Sequence, residues 1–147
     1  MLTVGAALLA QDVPARKETK HLSVTTSASP EAAKPGKPVT LAVDVTPKPG
    51  MHVYSPGQDG YIAITLTLDA NPAFAAAKAK YPAGEKIYMP VLKETQIVYS
   101  KPFRILQNVT AKQSSGPLTI KGSLRYQACD DTICYLPATI PLEWTLK

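Results

Sequence analysis

Through most of the chain, apolar and polar residues alternate with a period of two, the spacing that puts every second side chain of an extended strand on one face. Residues 21–25 (HLSVT) read as a first strand. In residues 39–45 (VTLAVDV), Val39, Leu41, Val43 and Val45 share a face. After a break at 47–50 (PKPG) comes a short extended piece at 51–54. Residues 62–68 (IAITLTL) alternate cleanly, with the even positions expected to point inward. Further strands are expected at 96–99, 103–109, 118–126 and 139–146. Residues 74–80 hold four alanines, yet Pro72 and Pro82 leave room for about two helical turns, so strand or irregular structure is expected there. Residues 83–95 have the look of a loop, and residues 11–20 that of a polar, charged tail.

Roughly seven to nine short strands, with turn residues about every 8–12 positions, predict an all-β antiparallel sandwich. No helix-period pattern is visible, which argues against an α/β fold and therefore against a thioredoxin fold. The length of 147 residues suits one domain, and 14 prolines against 8 glycines favour short strands joined by rigid turns. The formal charge of +5 raises the question of nucleic-acid binding. Arg16, Lys17, Lys20, Lys34, Lys37 and Lys48 are spread among prolines and small residues, without a tight basic run or interleaved aromatics. A solvated basic surface is the better account. Residues 1–10 (MLTVGAALLA) resemble the end of a secretory signal with a cleavage point after Ala10, although a basic leading region is missing and a mildly apolar terminus is the alternative. Ten residues are too few to span a bilayer, and no other segment approaches the length of about 20 that a spanning helix needs.

The chemistry points to Cys129 and Cys134, the two cysteines of the chain, in YQACDDTICYLP at 126–137. A four-residue hairpin loop brings its ends within disulfide range, about 4.4–6.8 Å between α-carbons. Three readings stay open on spacing alone. A structural disulfide is one, although so small a loop restrains the unfolded chain little, by about 2 kcal/mol. An immunoglobulin-type staple would join distant strands beside a tryptophan, whereas Trp144 follows both cysteines. Metal binding with His21, His52 or the aspartates is the second, and it lacks the repeated or histidine-paired spacing of structural zinc sites. Redox exchange is the third, because a short exposed disulfide opens without unravelling the fold.

The run 126–137, followed by LEWTL at 142–146, resembles the N-terminal periplasmic domain of the bacterial thiol:disulfide interchange protein DsbD, a family of disulfide-bond corrector domains. PGMHVYS at 49–55 is similar to the family's glycine-to-tyrosine strand, and ETQIVY at 94–99 is a softer match. The likeness covers approximately residues 20–147. It implies an immunoglobulin-like sandwich, residues 21–147, carrying a redox cysteine pair on a non-thioredoxin scaffold in the periplasm. It implies a protein-disulfide reductase activity exercised as one domain of a larger system, with no cofactor. Electrons would come from a thioredoxin-like partner fed by a transmembrane domain, fused or separate. They would go to periplasmic disulfide isomerases or cytochrome c maturation proteins, with the domain itself a monomer. By position, Cys134 matches the cysteine that forms mixed disulfides and Cys129 the resolving one. The best-known member has one more residue between its cysteines, so geometry and potential are expected to differ here.

Around the pair, Asp130 and Asp131 are expected to raise the thiol pKa by like charge unless Arg125 or Lys93 offsets them; their replacement by asparagine would then lower it. The alternative is that both aspartates serve the turn alone. Tyr54, Tyr126 and Tyr135 are candidates to flank and shield the disulfide, or else to fill the sandwich core. The family's cap loop would fall at 87–92, with Tyr88 or Met89 as cap. His52 is expected to be packed or surface-exposed rather than a proton carrier. The competing function is a non-catalytic interaction module with a passive clip, and metal delivery by the reduced pair is a third.

Overall fold

The computed structural model describes residues 15–112 and 117–147. The signal-like residues 1–10, and residues 11–14 of the expected tail, lie outside the described residues. Those described form β1 (Ala15–Glu18), β2 (Leu22–Ser29), β3 (Pro38–Pro47), β4 (His52–Tyr54), β5 (Thr65–Leu68), β6 (Phe74–Ala76), β7 (Glu85–Met89), β8 (Glu94–Tyr99), β9 (Phe103–Ala111), β10 (Leu118–Tyr126), β11 (Ala128–Cys129) and β12 (Ala138–Leu146). All their pairings are antiparallel. One sheet runs β1-β2-β3-β9-β6, a second β12-β10-β5, and a third, smaller one β11-β4-β8-β7.

Alternation dictates this arrangement. Val39, Leu41, Val43 and Val45 of β3 turn inward beside Leu22 and Val24 of β2 and Ile105 and Val109 of β9. Ile120, Leu124 and Tyr126 of β10, with Ile140, Leu142, Trp144 and Leu146 of β12, complete one continuous core with them. Half-buried strands with one apolar face have to close on each other to remove that face from water. Trp144 ties the layers directly, its indole Nε1 donating to the Ala42 carbonyl at 3.3 Å. The outer edge of β12 is also engaged: Lys17 Nζ donates to the Pro141 carbonyl and Thr26 Oγ1 to that of Glu143.

Three expectations change. Residues 15–18, read as tail, form β1 and pair with 23–26 of β2; all four side chains are exposed, so no apolar period marks them. Residues 83–95, read as loop, hold β7, a turn and the start of β8. In β7, Glu85, Lys86 and Tyr88 leave no clean apolar face, because it is the edge strand of its sheet. The strand expected at 62–68 becomes regular only at Thr65; Ala63 instead bridges Tyr54 in parallel. Its inward register holds at Ile64 and Leu66, which are buried. Residues 74–80 are extended, with β6 followed by a bridge between Lys80 and Leu106.

The third sheet has its own small apolar cluster. Tyr54, Val98 and Cys129 are buried together, with Tyr61 and Ile87 packed against them.

Candidate active site

After β10 the chain crosses from the second sheet to the third, where β11 sets Ala128 opposite Val53 and Cys129 opposite His52 of β4. The loop 130–133 then reverses direction, and Cys134 faces Cys129 as an antiparallel bridge. The flanking residues make the hydrogen bonds: Asp130 N to Ile133 O and Tyr135 N to Ala128 O, both 2.9 Å. The cysteines therefore occupy a non-hydrogen-bonded pair position, where opposed side chains approach most closely. Their α-carbons are 4.0 Å apart, closer than the spacing suggested, and their sulfurs are bonded. Among the described residues no group of three or more His, Cys, Asp or Glu is placed to hold a metal.

The two sulfurs are unequal. Cys129 is 1% exposed and belongs to the small cluster, whereas Cys134 is exposed. A thiolate arriving from solvent therefore meets the Cys134 side of the bond.

Asp130 closes the loop. Its Oδ1 accepts the amide N–H groups of Thr132 and Ile133, both at 2.7 Å, and its Oδ2 accepts the Tyr135 hydroxyl at 2.8 Å. The two amides, Ile133 foremost, hold the carboxyl below its ordinary value, and the same bond to Asp130 raises the Tyr135 phenol. This is turn chemistry, so Asp130 has a structural reason to be where it is. Asp131 is exposed beside it.

Tyr54 is placed against the disulfide. Its hydroxyl lies 3.1 Å from Cys129 Sγ and 3.4 Å from Cys134 Sγ. Disulfide sulfurs carry no proton, so the hydroxyl donates. Burial, followed by Tyr61 and Glu94, pushes its pKa up to about 12, with Gln96 acting in the opposite direction. The phenol stays protonated and available to a sulfur anion. Tyr61 stacks on it at 4.3 Å between ring centroids and donates to Glu94, whose Oε1 also accepts Gln96 Nε2 at 2.8 Å. Tyr61 was not singled out in the sequence, and Glu94 and Gln96 entered only within the softer match at 94–99 with no role at the site, since the third sheet alone brings them to Tyr54.

The remaining tyrosines divide. Tyr135 holds the loop through Asp130 and packs on His21, with ring centroids 4.5 Å apart. Tyr126 lies in the main core, its hydroxyl 3.0 Å from Thr19 Oγ1. It therefore fills the sandwich rather than flanking the sulfurs. His52 is buried, its ring edge-on to Tyr54 at 5.9 Å. A groove of about 430 Å³ opens over the pair, walled by residues 87–92 on one side and 129–134 on the other, with His52, Tyr54 and Gln96 lining it. A groove of about 480 Å³ between β2 and β12 holds neither cysteine.

A β-sandwich that presents one sulfur of a cross-strand disulfide to solvent and buries the other beside a phenol is a disulfide-bearing domain built without a thioredoxin fold. The chain belongs to the family described as thiol:disulfide interchange protein DsbD, N-terminal, which matches residues 18–143. Among solved structures it is similar to the N-terminal periplasmic domain of ScsB from Proteus mirabilis, with a TM-score of 0.59 and 14% identity over 87% of this chain and 47% of that one. It is similar to the complex between the DsbD N-terminal and PilB N-terminal domains from Neisseria meningitidis, at 0.50 and 16% over 74% and 79%. It is also similar to the GAE domain of GGA2p from Saccharomyces cerevisiae, at 0.52 and 12% over 90% and 98%. No curated protein sequence matches. At such identities the structures establish the fold, an immunoglobulin-like sandwich, and the chain spans about half the length of the ScsB chain.

Proposed function

We propose that this chain is a periplasmic thiol:disulfide interchange domain that carries a pair of electrons between a thioredoxin-like donor and periplasmic acceptor proteins. The observation behind it is the unequal exposure of two bonded sulfurs at the floor of an open groove. A donor thiolate attacks Cys134 Sγ, the Cys129–Cys134 bond breaks, and Cys129 leaves as a thiolate against the Tyr54 hydroxyl. The donor's second thiol then displaces Cys134, leaving the donor oxidised and this domain reduced. The same steps in reverse pass the electrons to an acceptor disulfide. Asp130 and Tyr135 hold the loop in register, and Asp131 adds negative charge that restrains thiol ionisation. Residues 87–92 act as the cap, with Tyr88 and Met89 among the residues that line the groove. Exposed Val91, Leu92, Ile133 and Leu136 around it supply apolar contact for a partner. The family assignment and the periplasmic origin of the ScsB domain support the location. The complex of the DsbD N-terminal domain with the PilB N-terminal domain supports another protein domain as partner; a thioredoxin-like donor fed by a membrane domain is part of the same proposal.

The test is trapping. Cys129→Ser should accumulate a mixed disulfide through Cys134 with a thioredoxin-like donor, and Cys134→Ser should accumulate none. Absence of any adduct, with a reduction potential far below about −300 mV, would leave the pair a passive clip.

A further inference from the structure

Resolution of a mixed disulfide on Cys134 requires the Cys129 thiol to lose its proton, and Cys129 is buried where water is scarce. The groups around it are few. Tyr54 is a donor, held protonated by burial. Asp130 is occupied by two amides and Tyr135. His52 differs from both. It sits directly across β4–β11 from Cys129, and a cross-strand pair of this kind projects to the same side of the sheet with β-carbons about 4.5–5.5 Å apart. Tyr54, two residues further along β4, lies on that side as well and touches both sulfurs. His52 is 6% exposed, and its Nε2 is buried without a hydrogen-bond partner among the described residues. Leaving a buried ring nitrogen unpaired is costly, so such a group calls for an explanation.

We infer that His52 is the base that takes the Cys129 proton during resolution and returns it when Cys129 leaves. This rests on the exchange function proposed above. In the reduced domain, freed from its bond, Cys129 Sγ turns about its Cα–Cβ bond towards Nε2. Once Cys134 is joined to an acceptor's sulfur, the Cys129 proton passes to His52. The Cys129 thiolate then attacks Cys134 Sγ, the internal disulfide forms, and the acceptor's sulfur departs as a thiolate, reduced by two electrons in total. The imidazolium proton is released to that thiolate or to water. In the opposite direction a donor thiolate attacks Cys134, His52 takes up the proton that the donor thiol has released to water, and the imidazolium passes it to the departing Cys129 thiolate. The titratable groups facing His52 are Cys129, Tyr54, Tyr88 across the groove, and Asp130 and Asp131 of the loop. Burial lowers the imidazole pKa and the two aspartates oppose it, so the neutral base prevails at neutral pH.

The test uses the reduced protein and oxidised glutathione as acceptor, following formation and decay of the glutathione adduct by rapid acid quench and mass spectrometry. In the unaltered protein the decay rate should stay level through neutral pH and fall as pH drops through the lowered imidazole pKa. With His52→Gln, adduct formation should persist, while decay at pH 7 slows about 100-fold and climbs about tenfold per pH unit. Decay with the same rate and profile in His52→Gln would overturn the inference while leaving the exchange function intact. No adduct on the unaltered protein would remove the exchange function itself. Should His52→Gln not fold, imidazole titration by NMR in the unaltered protein decides: a His52 signal that shifts on reduction while His21 does not supports the role, and one indifferent to redox state overturns it.

Discussion

One hydroxyl touches both sulfurs, and its worth depends on the charge it meets. Tyr54 gives a weak bond to a neutral disulfide but a charge-assisted one to a Cys129 thiolate, a difference of about 1.5 kcal/mol. Tyr54→Phe should therefore slow reduction of the disulfide by dithiothreitol at pH 7 roughly tenfold, with little change in melting temperature; equal rates would remove the phenol from the chemistry. At this scale the cysteines were legible, because their spacing restricts the readings to a few. Asp130 was half legible. A turn role was one of the two readings open for it, but which atoms it would bind depends on how Thr132 and Ile133 are oriented. Tyr126 looked no different from Tyr54 in the sequence, and only the step from one sheet to another sends the first into the core and the second to the sulfurs. His52 was expected to be packed or surface-exposed rather than to carry a proton; it is packed, and the unpaired nitrogen behind the role inferred for it belongs to three dimensions.

Among the elements, β3, β10 and β12 announce themselves through alternation, since β10 and β12 have one buried and one wetter face and β3 departs from that only at the small, buried Ala42. β7 does not, being an edge with a half-buried glutamate and an exposed tyrosine in its short run. β1 is also without a pattern, held to β2 by backbone pairing while its side chains stay in water. The joint between β5 and β10 is less obvious still. Gly122 pairs with Leu68, and a β-carbon there would stand 2.6 Å from the Thr67 carbonyl oxygen and 3.2 Å from Leu68 Cδ2. Backbone cannot yield as a side-chain tip does, so Gly122→Ala should lower stability by about 1–3 kcal/mol in urea unfolding. The rate of disulfide reduction should not change, because that strand pair lies outside the groove.

For the molecule as a whole, the disulfide is a minor support. It closes a loop with a sequence separation of 5, worth about 2 kcal/mol against the unfolded chain, while the long ladders β2-β3-β9 and β10-β12 join segments far apart in sequence. Reduced protein should thus unfold cooperatively at slightly lower denaturant, with its near-ultraviolet dichroism preserved; loss of tertiary signal on reduction would make the bond structural. A carrier has to remain itself in both states. The outer margin of β12 bears on a different hazard. Pro141 offers no amide there, and the carbonyls of Pro141 and Glu143 already receive a lysine ammonium and a threonine hydroxyl. A stray strand from another copy finds this border already taken, so the molecules can crowd together without zipping into fibrils along it.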